Sequence, residues 1–147
     1  MTELLFEKTF SHDSLPELAE EISACINQSD PFVLWLKGDL GLGKTTTTSA
    51  ILRHLGVSEE TPIVSPTYTL CNEYEGQGQW YAHLDLYRAG ADFSLQELGV
   101  EDTRTYRGFF VEWPEQPGEE ETLPPTHKLT IDFVNETTRT FRLEQIS

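Results

Sequence analysis

The most restrictive feature of the sequence is a glycine-rich segment that separates an apolar run from a helical pattern. The run Pro31–Leu36 is almost wholly apolar, as expected of a parallel strand that is covered on both faces. It is followed by Gly38-Asp39-Leu40-Gly41-Leu42-Gly43-Lys44-Thr45, which has the spacing of a phosphate-binding loop, or P-loop. Residues from Thr45 to Leu55 then carry apolar side chains at helical spacing and stop at Gly56. The order of strand, glycine loop and helix predicts a P-loop domain.

Each residue type in the loop has its own task in binding a nucleotide. Glycines let successive backbone N–H groups turn towards the phosphates, and the following helix directs its positive end at the same anion. Lys44 would reach the β- and γ-phosphates, and the Thr45 hydroxyl would be a ligand of Mg²⁺. The chain lacks the Asn-Lys-x-Asp element that recognises guanine, which favours ATP as the nucleotide. The predicted nucleotide-binding residues of the loop are Gly38, Asp39, Leu40, Gly41, Leu42, Gly43, Lys44, Thr45 and Thr46.

The remaining pattern predicts a mixed sheet in a protein of the α/β class. A strand at Leu4–Phe10 precedes a helix that begins with a capping box at Ser14-Leu15-Pro16-Glu17. The further predicted elements are strands at Thr67–Glu73, Trp80–Tyr87, Gly108–Trp113, Lys128–Val134 and Arg139–Ile146, and short helices at Ala91–Leu98 and Val100–Tyr106. We expect a P-loop NTPase-like three-layer sandwich with parallel core strands and antiparallel additions, formed as a single domain over residues 1–147.

Composition limits the classes of partner. The chain has 25 acidic and 10 basic side chains, a formal net charge of -15, and such a surface repels polyanions. Direct binding to RNA is therefore not expected, and an anionic nucleotide would need a shielded, Mg²⁺-dependent site. Cys25 and Cys71 have no metal-ligand spacing. No run approaches the ~20 apolar residues of a membrane span, so we expect a cytoplasmic protein without membrane contact.

Two acidic residues are candidates for the metal site. Asp85 follows an alternating strand pattern and Glu112 follows the apolar run Phe109–Val111, so both can emerge beside the loop at the carboxyl edge of the sheet. Either could be a metal ligand or a base that orients water, and the competing interpretation is an exposed acid. The segment Ser65–Leu70 offers Thr67 as a hydroxyl that senses the γ-phosphate; a proline turn into an edge strand is the alternative.

Five motifs occur together in one order along most of the chain. They are the P-loop with Thr46, Ser65-Pro66-Thr67-Tyr68-Thr69-Leu70, His83-x-Asp85-Leu86-Tyr87-Arg88, Glu97-Leu98-Gly99 and Glu112-Trp113-Pro114-Glu115. This set closely resembles the TsaE (YjeE) family. The resemblance implies an ATP hydrolase of bacterial tRNA threonylcarbamoyladenosine biosynthesis that works with TsaD and TsaB, enables repeated turnover of their complex, and meets tRNA only indirectly through it.

The resemblance also implies roles for individual residues. Lys44 would neutralise phosphate charge, Thr67 would sense the γ-phosphate, and Glu112 would orient the attacking water. The residues that would surround Mg²⁺ are Thr45, Asp85 and Glu112, and those that would lie beside the nucleotide are His12, Trp113 and Arg139. Exposed surface positions are the competing interpretation for His12 and Arg139, and a packed aromatic is the alternative for Trp113. Leu42 and Thr47 depart from the family, which usually has alanine and an aromatic residue there.

Two other functions are compatible with the P-loop. A small-molecule P-loop kinase usually needs a basic lid over the transferred phosphate, which 10 Lys and Arg residues make hard to build. A non-hydrolysing ATP sensor would bind partners without releasing phosphate. For an ATPase, Arg88 and Arg104 are the only evident candidates for an internal arginine finger, so we expect slow hydrolysis that partners activate.

Overall fold

The computed structural model describes residues 2–38, 43–64, 66, 71–85, 105–112 and 123–146. Over this part of the chain the strands are β1 (Thr2–Ser11), β2 (Phe32–Lys37), β3 (Cys71–Gly76), β4 (Gln79–Asp85), β5 (Gly108–Glu112), β6 (His127–Asn135) and β7 (Thr138–Ile146). The helices are α1 (Leu15–Ile26) and α2 (Lys44–His54), with a short 3-10 helix at His12–Ser14 before α1. None of these helices is long and apolar enough to cross a membrane.

The described strands form one mixed sheet in the order β1-β7-β6-β2-β5-β4-β3. Strand β2 lies near the centre and is parallel to both of its neighbours, β5 and β6, and β4 is parallel to β5. The pairs β1–β7, β6–β7 and β3–β4 are antiparallel. The predicted α/β class, with parallel core strands and antiparallel additions, is confirmed.

The two faces of the sheet have separate apolar cores. On one face Phe32, Leu34 and Leu36 of β2 belong to a buried cluster that includes Ile22 of α1 and Ile51 of α2. The intervening residues of β2 pack on the opposite face with Phe109, Val111 and Leu123. Because strand side chains alternate between faces, an apolar run without polar interruptions is what a strand between two cores requires.

Local geometry confirms the β3–β4 hairpin and corrects the start of α1. The segment Glu75-Gly76-Gln77-Gly78 predicts a short glycine-containing connection, but the turn consists only of Gln77 and Gly78, both with positive φ, and Glu75 and Gly76 belong to β3. The predicted capping box is wrong. Ser14 makes no capping hydrogen bond, because the preceding 3-10 turn holds its backbone near φ -100° and ψ 11° instead of the extended conformation usual at an N-cap.

Several sequence predictions fall outside the described residues. They include the first four residues of the strand predicted at Thr67–Glu73, the helix predicted at Ala91–Leu98 and most of the one predicted at Val100–Tyr106. The strands predicted before and after these segments are confirmed as β3, β4 and β5, and the closing hairpin is confirmed as β6 and β7. Helix α2 is also confirmed, and Gly56 follows its end with a positive φ of 104°.

A buried histidine makes the stability of this sheet depend on pH. His127 begins β6, its Nδ1 lies 2.9 Å from the Thr126 hydroxyl, and its Nε2 is buried with no hydrogen-bond partner among the described residues. Burial lowers the pKa of His127 from its ordinary value of 6.5. The unfolded chain is therefore protonated first as pH falls, which favours unfolding, whereas this contribution to stability is fully present above pH 6.5.

We expect the variant His127→Gln to lose part of this pH dependence, because glutamine does not titrate. Urea unfolding at about pH 7.5 and about pH 5.5 measures the effect as the change in the free energy of unfolding between the two conditions. The wild type should lose more stability on acidification than the variant. An equal loss in both proteins would show that His127 does not contribute.

Candidate functional site

The carboxyl ends of three parallel strands meet at one edge of the sheet. In the strand register, Glu112 at the end of β5 lies between Leu36 of β2 and Asp85 at the end of β4. Asp85 and Glu112 are 5% and 4% exposed. Residues that are paired across neighbouring strands point to the same face of the sheet. Leu36 belongs to the core on the α2 side, so Glu112 and Asp85 point to that side as well. The two candidate acids are therefore brought together, and the competing interpretation of exposed acids is wrong.

The predicted phosphate loop connects β2 to α2 at this edge. Gly38 directly follows β2, and Gly43 precedes α2 with a φ of 97°, a conformation that favours glycine. The Lys44 side chain is buried, and its Nζ donates a hydrogen bond of 2.6 Å to the Gly38 carbonyl oxygen. The lysine thus folds back across the two ends of the loop. Asp39, Leu40, Gly41 and Leu42 lie outside the described residues.

A hydroxyl on the first turn of α2 is bonded directly to the carboxylate that ends β5. The Thr45 hydroxyl lies 3.2 Å from Oε1 and 3.1 Å from Oε2 of Glu112. Together with Asp85, these groups form a donor set made only of oxygen, which suits a hard cation such as Mg²⁺. The described residues contain no cluster of three or more His, Cys, Asp and Glu side chains that could hold a metal. Mg²⁺ bound with a nucleotide needs only one or two carboxylates, because phosphate and water complete its shell, so the residues fit this ion.

His83 belongs to the site although sequence analysis gave it no role. It lies in β4 two residues before Asp85, is fully buried, and its Nε2 is hydrogen-bonded to Oε2 of Glu112. The signal that could have found it is the two-residue period of a strand. Because Asp85 faces the site, the residue two positions earlier lies on the same face.

A cavity of about 350 Å³ opens beside the end of the phosphate loop. Its lining includes Gly43 and Thr46, and also His12 and Arg139. The sheet positions these last two residues, because Phe10 of β1 is paired with Arg139 of β7 and the His12 backbone N–H donates to the Thr137 carbonyl at 2.9 Å. The residues nominated on the N-terminal segment and the final hairpin therefore lie together beside the loop.

Arg139 is held in place from the hairpin itself. Its Nη1 donates to the Thr138 carbonyl at 2.9 Å, and its guanidinium lies 4.9 Å from the ring centroid of Phe133. Its Nε is buried without a hydrogen-bond partner among the described residues. Two further candidate residues, Thr67 and Trp113, lie outside the described residues.

Comparison with known proteins identifies the family. The model of the family described as "Threonylcarbamoyl adenosine biosynthesis protein TsaE" matches residues 9–142. The chain belongs to the TsaE family. The match extends from β1 to β7 and so includes the phosphate loop, both acids and the cavity walls that the two termini contribute. The resemblance inferred from the five motifs is confirmed.

Individual TsaE relatives and one solved structure agree with this assignment. The tRNA threonylcarbamoyladenosine biosynthesis protein TsaE of Aquifex aeolicus is 36% identical over 133 residues, which cover 90% of each chain. The protein of the same name from Rickettsia felis is 30% identical over 129 residues, covering 88% of this chain and 73% of that protein. The crystal structure of the Bacillus protein YdiB matches all of this chain and 88% of its own, with a TM-score of 0.70 and 25% identity. The predicted fold class is thus shared with a solved structure.

The contact between Thr45 and Glu112 leads to a test with a matched control. Thr45→Val keeps the volume of the side chain and removes its hydroxyl, so we expect the gain in ADP affinity on adding Mg²⁺ to fall about tenfold, equivalent to about 1.4 kcal/mol. Thr48→Val is the control, because the Thr48 hydroxyl is buried on the same helix without a hydrogen-bond partner among the described residues. Titration of a fluorescent ADP with and without Mg²⁺ measures both variants. An unchanged gain in Thr45→Val would contradict a metal-binding role.

Proposed function

We propose that this TsaE chain is a cytoplasmic, Mg²⁺-dependent ATPase that works with TsaD and TsaB in forming the threonylcarbamoyl group on tRNA adenosine. Its hydrolysis of ATP would enable repeated turnover of that complex. The observation that carries the proposal is the bond between the Thr45 hydroxyl and the Glu112 carboxylate, with Asp85 on the adjacent strand end. A P-loop hydroxyl joined to a strand-end acid is the arrangement that Mg²⁺-nucleotide chemistry requires.

The surroundings of the loop support ATP as the ligand. Lys44 lies between the two described ends of the loop, where its ammonium can neutralise phosphate charge. The cavity beside Gly43 falls within the range of about 300–1,000 Å³ that is usual for small-molecule sites. Phe10 and Phe141 give it apolar walls, and His12 and Arg139 supply polar groups, a combination that suits a nucleoside. The roles of Thr67 as γ-phosphate sensor and of Trp113 as neighbour of the nucleotide rest on the family resemblance.

The chain's own residues divide the chemical work. Bound Mg²⁺ would supply positive charge to the phosphates, and Thr45 and Asp85 would hold it, with Glu112 close to the same position. Glu112 would also orient a water molecule towards the γ-phosphorus. That water would form the new P–O bond while the bond to the leaving oxygen of ADP breaks, which yields ADP and phosphate. Burial of both acids keeps competing water away from them.

The charge of the chain supports action through partner proteins. A net charge of -15 opposes direct contact with tRNA, so recognition of the tRNA is assigned to the partners. The acidic surface would also meet a basic surface favourably, which suits docking on TsaD and TsaB. Because hydrolysis by isolated P-loop proteins is slow without a stabilising arginine, we assign activation to this assembly.

Phosphate release from Mg²⁺-ATP, with and without TsaD and TsaB, tests the proposal directly. We expect a low rate for the isolated chain and a higher rate with both partners. Absence of release in the presence of both would support a non-hydrolysing sensor, and transfer to a small acceptor would support a kinase. Either result would contradict the proposed function.

Two variants test the roles of individual residues in the same assay. Lys44→Ala should abolish ATP-dependent release, because it removes the cation that neutralises the phosphates. Glu112→Gln should reduce hydrolysis about 100-fold and affect ATP affinity less, because the amide keeps the shape of the side chain but loses its charge and basicity. Lys8→Ala is the matched control for Lys44, since Lys8 is exposed and paired with Glu21 at 2.7 Å.

The cavity generates a separate prediction for Arg139. We expect Arg139→Leu to weaken ATP binding about tenfold and to leave the turnover number nearly unchanged, because Arg139 lines the proposed nucleoside cavity and not the strand-end acids. Arg142→Leu is the control. Arg142 lies on the same strand but points to the opposite face, where it pairs with Glu7 at 2.9 Å. Equal effects of the two variants on ATP affinity would exclude a specific role for Arg139.

A further inference from the structure

The histidine behind Glu112 is buried more completely than either acid. His83 is 0% exposed, and its ring reaches diagonally from β4 to the carboxylate on β5. The strand register pairs His83 with Phe110, so His83 lies two residues before the Asp85–Glu112 pair along the strands. His83 thus contacts Glu112 from the interior of the sheet, whereas Thr45 approaches it from the helix.

A buried carboxylate needs hydrogen-bond donors, because removing it from water without them is costly. Among the described residues, Thr45 and His83 provide those donors to Glu112. In the proposed function, the Thr45 oxygen also binds Mg²⁺, so its position must suit both the metal and Glu112. His83 has no second acceptor among the described residues. Its contact with Glu112 can therefore remain unchanged while nucleotide and metal bind and leave.

The other ring nitrogen determines which tautomer fits. Nδ1 of His83 is buried and has no hydrogen-bond partner among the described residues. With the hydrogen on Nε2, the ring donates to the carboxylate and only a lone pair is left without a partner. The opposite tautomer would direct a lone pair at the carboxylate and bury an N–H group without an acceptor. The surroundings therefore favour the Nε2–H tautomer.

We infer that His83 is a positioning residue whose Nε2–H group fixes Oε2 of Glu112 and so sets the direction in which this carboxylate faces Thr45 and the attacking water. The inference rests on the proposed ATPase function. In this role His83 acts through Glu112 and not by direct contact with nucleotide or metal. Donors that stand behind a functional side chain typically change activity or metal affinity 10–100-fold when they are removed, roughly as expected for lost orientation.

A purely structural role for His83 is the alternative, and the chain contains a matched control for it. His127 is also a fully buried histidine of the same sheet, but it lies at the beginning of β6 and contacts Thr126 instead of an acid of the site. His83→Leu and His127→Leu both replace a buried imidazole by an apolar side chain. Both should lower stability, and only His83→Leu should affect hydrolysis beyond that.

The first arm of the test compares hydrolysis in the presence of TsaD and TsaB, at a temperature where unfolding curves show every variant to be folded. We expect His83→Leu to lower kcat at least about tenfold, with KM for ATP changed less than about threefold. His83→Gln should recover most of the lost kcat, because its amide can donate from near the position of Nε2. His127→Leu should retain the wild-type kcat. Wild-type kcat in His83→Leu, or equal losses in the leucine and glutamine variants, would overturn the inference.

The second arm does not depend on activity. Long-range nitrogen–proton NMR spectra of the free chain should show the His83 imidazole as the Nε2–H tautomer, and its Nε2–H proton resonance should shift in Glu112→Gln. An Nδ1–H tautomer, or a resonance that does not respond to Glu112→Gln, would overturn the inference. Absence of hydrolysis by the wild type would refute the proposed function separately, and the imidazole spectrum would then decide whether His83 holds Glu112.

Discussion

The site depends on the parallel pairing of β2, β5 and β4. Parallel strands place their carboxyl ends at the same edge, so the loop after β2 and the acids that end β4 and β5 converge although they are distant in sequence. Antiparallel pairing of β4 with β5 would send Asp85 to the other edge. The apolar side chains of β2, buried on both faces, hold this arrangement, because a shift by one residue would exchange the residues that face the two cores.

Polar groups at this edge are buried, so they depend on one another for hydrogen bonds. The Thr45 hydroxyl on α2, the Glu112 carboxylate on β5 and the His83 ring on β4 form one chain of hydrogen bonds. Each member would be costly to leave without its partner in an interior position. These hydrogen bonds thereby couple the position of the first turn of α2 to strands β5 and β4. A change in the packing of α2 on the sheet would therefore also change the geometry of the proposed metal site in this TsaE protein.

The sequence was sufficient to predict the parts of the fold and site that are formed by neighbouring residues. Contacts between residues that are distant in sequence were harder to predict. Strand β2, the loop and α2 are contiguous, so their periodicity and glycine spacing were sufficient, and the positions of Asp85 and Glu112 followed from the general rule for strand ends. The strand period places His83 on the same face as Asp85, but its contact with Glu112 also requires the β4–β5 register, which the sequence does not specify. The meeting of His12 and Arg139 requires β1 to pair with β7, and only the family resemblance suggested it. The Ser14 capping box failed because the pattern does not reveal the preceding 3-10 turn.

We propose that the phosphate loop, Asp85 and Glu112 form one Mg²⁺-nucleotide site at this edge of the sheet. A crystal structure of the chain with Mg²⁺ and a non-hydrolysable ATP analogue tests it most directly. We expect the phosphates to be enclosed by the Gly38–Thr45 loop and the base to lie in the cavity lined by His12 and Arg139. Mg²⁺ should lie about 2.0–2.1 Å from the Thr45 hydroxyl oxygen and from a carboxylate of Asp85 or Glu112. Phosphates bound away from the loop, or a metal that contacts neither Thr45 nor these acids, would contradict it.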